Sequence, residues 1–141
     1  MTNNPAPTAD TEATVRRGII AAVLLAALFL LPVIVLPVIA LQSDDFNPLV
    51  LLVLALPLMP GLWALTAAYY LIRRQPHWQT RNTRVVNRIV GLLAAGAGTT
   101  LVTGNWRGAL ALAAATVALG LANETIGEAG AALAATQTRH P

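Results

Sequence analysis

The sequence predicts an all-α, polytopic membrane protein: four transmembrane helices in two hairpins, with both termini in the cytoplasm (N-in/C-in). Three observations carry this expectation. Of 141 residues, 56% are hydrophobic and only 11% are charged, whereas ordinary soluble domains carry about a quarter charged residues. A chain this short has too little interior to hide so much apolar surface from water. The apolar residues also come in runs, with no charge between Gly18 and Leu41 or between Pro48 and Ile72. Each run exceeds the roughly 20 residues that cross a hydrocarbon core about 30 Å thick.

Residues 1–17 read as a disordered cytoplasmic tail, since MTNNPAPTADTEAT is polar and carries two prolines. Arg16 and Arg17 stand directly before the first apolar run and anchor the amino terminus inside. A twin-arginine export signal would have a polar residue before the pair, and Val15 takes that position. The first span covers about 18–42. A cleavable signal peptide is the alternative, because Val38 and Ala40 suit a signal peptidase, although the run is longer than the usual h-region of about 7–15 residues.

The first connection, QSDDFN, holds Asp44 and Asp45 and no basic residue. The second span covers about 48–72, and the loop from Arg73 to Arg88 then carries five arginines. The positive-inside rule puts that loop in the cytoplasm and the acidic one outside, in agreement with Arg16 and Arg17.

The second half has shorter runs, Ile89–Thr103 and Gly108–Ala122, of 15 residues each. At 1.5 Å per residue each reaches only about 22 Å. Spans of about 85–104 and 106–124 follow once Arg88 snorkels to the headgroups and Trp106 sits at the outer interface. A re-entrant hairpin over 89–122 is the alternative. The membrane-embedded bundle is thus expected over 18–136, with a short tail at 137–141.

Pro32 and Pro37 in the first span and Pro57 and Pro60 in the second are expected to kink their helices, with Pro32, Pro57 and Pro60 near the bilayer midplane. Their neighbours are Leu, Val, Ile, Met59 and Gly61, with nothing to hold a solute, so packing kinks are favoured over a transport site. Small residues let helix backbones approach in lipid. Gly91, Ala94, Ala95 and Gly98 in the third helix, and Ala111, Ala115, Ala118 and Ala122 in the fourth, are the expected packing residues. Contact within one chain and contact between copies both fit that pattern. Thr99, Thr100, Thr103 and Thr116 either bridge helices or bond back to their own.

Glu124 and Glu128 lie one turn apart after the fourth span, and an interfacial clamp to Arg84 or Arg88 is expected. A proton-binding carboxylate is the alternative reading of Glu124.

Several chemistries are excluded. With no cysteine there are no disulfides and no thiolate sites. His77 and His140 have no partner at metal-ligand spacing, and the lone serine, Ser43, belongs to no triad. No phosphate-binding glycine loop is present. The expectation is therefore no enzyme, no cofactor and no metal. The basic balance comes from arginines beside the spans, so the partner is the lipid bilayer and not nucleic acid. All nine basic residues are arginine, which with the abundant alanine suggests a GC-rich bacterium or its phage, and hence the bacterial cytoplasmic (inner) membrane. Small size and small-residue helices give a class-level resemblance to holins, self-associating proteins that permeabilise the bilayer. The alternatives are an accessory or assembly subunit of a larger membrane complex, and a small dimeric carrier.

Overall fold

The protein is seen in a computed structural model that describes residues 8–42, 49–75 and 79–138; the side chains of Leu36, Ala40, 49–56 and 79–84 lie outside that description. So do Asp44, Asp45, His77 and His140. Four helices follow one another: α1 (Ala9–Leu41), α2 (Leu49–Ile72), α3 (Gln79–Val102) and α4 (Trp106–Gln137). No strand occurs among the described residues. Among the described residues, three stretches are long and apolar enough to cross a membrane: Ala9–Ile39, Val85–Val102 and Trp106–Gln137. Within α2, Pro57–Ile72 forms a shorter apolar stretch.

Both outer helices are longer than expected. α1 starts at Ala9, so part of the segment read as a tail is helical. The Thr8 carbonyl accepts the Glu12 N–H at 3.1 Å, and the Thr8 and Thr11 hydroxyls lie 2.9 Å apart. Asp10 and Glu12 in the first turn favour the positive end of the helix dipole. At the other end, α4 runs past Glu124 and Glu128 to Gln137.

The two extensions find each other. Besides Ala26 on α1 and Ala109 and Gly130 on α4, the buried residues described form two series, Val15, Gly18, Ala22, Leu25 and Phe29 on α1 and Leu119, Ala122, Ile126, Ala129 and Leu133 on α4. Both series step alternately by three and four residues, the spacing of a coiled-coil seam. Gly18 packs directly on the Ala129 methyl. That contact sets an antiparallel register in which Ala22 stands level with Ile126, Leu25 with Ala122 and Phe29 with Leu119. A large residue therefore faces a small one where Ala22 meets Ile126 and Leu25 meets Ala122, and the two smallest residues meet at Gly18 and Ala129. α2 covers the neighbouring flank of α1 with Pro60, Ala64, Ala67 and Leu71, all buried. Gly61 lets the backbones close there, since a Cβ at that position would lie 2.6 Å from Leu30 Cδ2.

The helices are arranged as a row, α2–α1–α4–α3, with α2 grazing α4. Two hairpins form, but their expected closure into a compact bundle does not occur: α3 makes its extensive contacts with α4 alone. Only 6% of the α3 span is buried, against 24% for α1 and 22% for α4. Val86, Ile89, Val90 and Leu93 face the core from α3. The core is concentrated at the end carrying Arg16, Arg17, Arg73 and Arg74. Toward Trp106, large residues such as Leu101, Val102 and Leu110 stand exposed.

Turn chemistry accounts for the short connections. At the end of α2, Arg74 donates to the Leu71 carbonyl and Gln75 to that of Tyr70, at 3.1 and 3.0 Å. This is a Schellman cap with arginine, at φ 54°, where glycine is usual. The same pattern ends α3, with Gly104 donating to Leu101 and Asn105 to Thr100. Here Gly104 has φ 79° and carries no side-chain penalty. Asn105 then caps α4, its side-chain oxygen accepting the Gly108 N–H at 3.0 Å. Three residues thus stop one helix and start the next.

α1 and α2 run without a break across Pro32, Pro37, Pro57 and Pro60. Pro60 is fully buried, and the other three are half-buried. The prolines thus do not interrupt either helix.

Candidate functional site

The surface that distinguishes this molecule is the outward side of the α3–α4 hairpin. Gly96 rests on Leu112, with a built Cβ 3.4 Å from Leu112 Cδ1, and this sets the level of α3 against α4. The face of α3 opposite that contact carries Arg88, Gly91 and Ala95, with Ala94 and Gly98 at its edge, where Gly98 borders a groove that Leu110 of α4 also lines; all five are exposed. A Cβ at Gly91 or Gly98 would meet nothing within 4 Å. These residues therefore do not pack α3 onto α4. Val86, Val90 and Leu93 do so, because Arg88 and Asn87 turn the small-residue side outward. On α4 the expected stripe divides: Ala122 is buried, Ala115 and Ala118 are half-buried against the core, and Ala111 is exposed.

The outward face of α4 carries Leu110, Val117 and Leu121, then Glu124 and Glu128, all exposed. Among the described residues, Arg88, Glu124 and Glu128 have no ion-pair partner, and the Arg84 side chain lies outside the description. The expected clamp between Arg88 and the two acids does not form within the chain. Arg88 lies on the face of α3 turned from α4, whereas the acids point away from both α1 and α3.

The ion pair that does form sits at the arginine end. Arg74 Nη2 lies 3.0 Å from Glu12 Oε1, and Gln137 Nε2 donates to the Arg74 carbonyl at 3.3 Å. The left-handed turn at Arg74 thus joins the start of α1, the end of α2 and the end of α4. Both charged side chains are 56% exposed, so the pair contributes on the order of 0.2–1 kcal/mol. Beside it a groove of about 630 Å³ is lined by Arg16, Val15, Ile19, Ile20 and Leu133 as well as Glu12 and Arg74.

The contacts also fix distances along the helices. The registers of Gly18 with Ala129 and of Gly61 with Leu30 put Trp106 level with Leu41, and Tyr70 level with Ala21. Twenty residues separate those levels on α1, or roughly 30 Å. Arg107 stacks on Trp106 at one level and Arg73 on Tyr69 at the other, each 5.5 Å from the ring centre. Arg88 lies between the levels, roughly 9 Å from that of Tyr70. The threonines of this region do not bridge helices. Thr99, Thr100, Thr103 and Thr116 all donate to carbonyls of their own helices, at 2.7–3.2 Å.

No family model, curated protein or solved structure matches the chain. The geometry must carry the reading. Among the described residues no three of His, Cys, Asp and Glu come together as metal ligands do. The surfaces offer apolar grooves, unpaired charge and exposed small residues, which suit contact with lipid or another helix.

Proposed function

We propose that this chain is a non-enzymatic integral membrane protein of a bacterial cytoplasmic membrane. It crosses four times with both termini inside, associates with copies of itself and permeabilises the bilayer in a holin-like manner. One observation carries the reading: α3 is barely buried, yet exposes Arg88 about 9 Å inside the level of Tyr70. The roughly 30 Å between Trp106 and the tyrosines matches a hydrocarbon core bounded by aromatic belts. An arginine within that band is costly against lipid, so such residues face protein or water. A neighbour or a wet space beside α3, which one copy does not supply, would relieve that cost more fully than snorkelling along lipid. Leu92, Leu101 and Val102 on the same helix are well exposed and suit lipid or a partner helix equally.

Leakage tests this directly. Purified protein added to dye-loaded vesicles is expected to release dye with a steep dependence on the protein-to-lipid ratio. Vesicles that stay tight at every ratio would refute the permeabilising role. Co-purification with one stoichiometric partner would then move the assignment to an accessory subunit, and substrate-dependent uptake to a small carrier. Reporter fusions at Asp45 and His140 test the topology; activity outside for the first and inside for the second is expected.

A further inference from the structure

We infer that the outward face of α3 in one copy packs on the outward face of α4 in a second copy, with Arg88 meeting Glu124 across the contact. The inference rests on the self-association proposed above and adds which surfaces meet. Copies inserted in the same orientation share the same depths, so levels within one chain carry over between neighbours. The contact of Gly96 with Leu112 puts Gly98 level with Leu110, and Gly91 level with Val117. At both glycines a side chain would find open space, and both partners on α4 are well exposed. Two holes on one surface thus stand at the depth of two knobs on the other.

Charge selects the same pairing. Arg88 stands level with Gly120, one turn deeper than Glu124. An arginine side chain reaches about that far when it snorkels toward the headgroups. The exposed face of α3 has a base and no acid among its described side chains, and that of α4 has Glu124 and Glu128. An α3–α3 contact would set Arg88 against its own copy, and an α4–α4 contact would oppose Glu124 to Glu124 and leave the large residues without holes. Unlike faces satisfy both shape and charge.

The absence of cysteine makes a clean test. Chains carrying only Gly98→Cys and only Leu110→Cys, with different tags, are co-expressed and oxidised in membranes. A disulfide-linked heterodimer is expected, with at least severalfold less linkage in either variant alone; Leu24→Cys, on α1, gives the background. Equal self-linkage of Gly98→Cys would overturn the inference in favour of an α3–α3 contact. Independently, Arg88→Glu is expected to lower the oligomer fraction about tenfold, and Arg88→Glu with Glu124→Arg to restore it. Failure of restoration would count against the pairing. Oligomers with no linkage between positions 98 and 110 overturn this interface alone. A chain that stays monomeric in membranes overturns self-association itself.

Discussion

Gly18→Ala is the smallest change that tests the core. The added methyl would collide with the Ala129 methyl and lie 3.2 Å from Leu71 Cδ1 and 3.5 Å from the Thr125 carbonyl. The leucine tip can turn aside, but the alanine methyl is fixed to the α4 backbone, so α1 and α4 must move apart. Overpacking of this kind costs typically 1–3 kcal/mol. Replacing a helical glycine by alanine returns about 0.5–1 kcal/mol. A net destabilisation of about 1–2 kcal/mol is expected. Ala129→Gly alone should lose roughly 1 kcal/mol of helix propensity. The double variant exchanges one methyl across the contact and should return close to wild type, giving a coupling energy of roughly 2–3 kcal/mol. Reversible unfolding in mixed micelles at fixed detergent composition reads all three. A Gly18→Ala protein as stable as wild type, or strictly additive effects in the double variant, would show that α1 and α4 do not meet at Gly18.

Other sites give independent checks. Gly61→Leu should destabilise by about 1–3 kcal/mol, since even a Cβ reaches within 2.6 Å of Leu30, while Gly61→Ala should be milder because Leu30 can turn; equal stability of the leucine variant would refute the α1–α2 register. At Arg74, glycine relieves a left-handed backbone worth roughly 1–2 kcal/mol and loses only the exposed ion pair. Arg74→Gly should thus unfold at higher denaturant than Arg74→Ala, and the reverse order would sink the cap assignment. Asn105→Ala should cost about 1 kcal/mol by removing the cap of α4, whereas Asn105→Asp should retain most of it; a silent alanine substitution would refute the cap.

Residue type alone foretells the helices and several of their ends. Long uncharged runs mark the first two spans, and Gly104 followed by Asn105 marks the turn between the last two. The helical start at Thr8 also has its signals, a hydroxyl residue before Asp10 and Glu12, but Pro5 and Pro7 dominate the reading of that segment. Face assignment is harder in helices this rich in alanine, because small residues occur on every side. In α3 the informative residues are the polar ones. Arg88 shares a face with Gly91 and Ala95, with Gly98 at its edge, and that shared charge turns the whole stripe outward. In α1 and α4 the alternating three-and-four spacing is present in the chain, yet nothing local says which seams meet. The pairing of Val15 and Gly18 with Ala129 and Leu133 depends on helices separated by most of the sequence. Likewise, two well-formed hairpins do not dictate how they lie together. The row arises because α1 packs on both α2 and α4, whereas α3 buries a single side, that of Val86, Val90 and Leu93, against its neighbour.

The seam between the first and last helices has a consequence for biosynthesis. Domains consolidate as the chain emerges from the ribosome, amino-terminal parts first. Here Val15, Gly18, Ala22 and Leu25 are translated well before their partners on α4. Until then that side of the opening hairpin lacks the helix that covers it. Synthesis of α4, and not of the opening hairpin alone, is therefore what completes this seam.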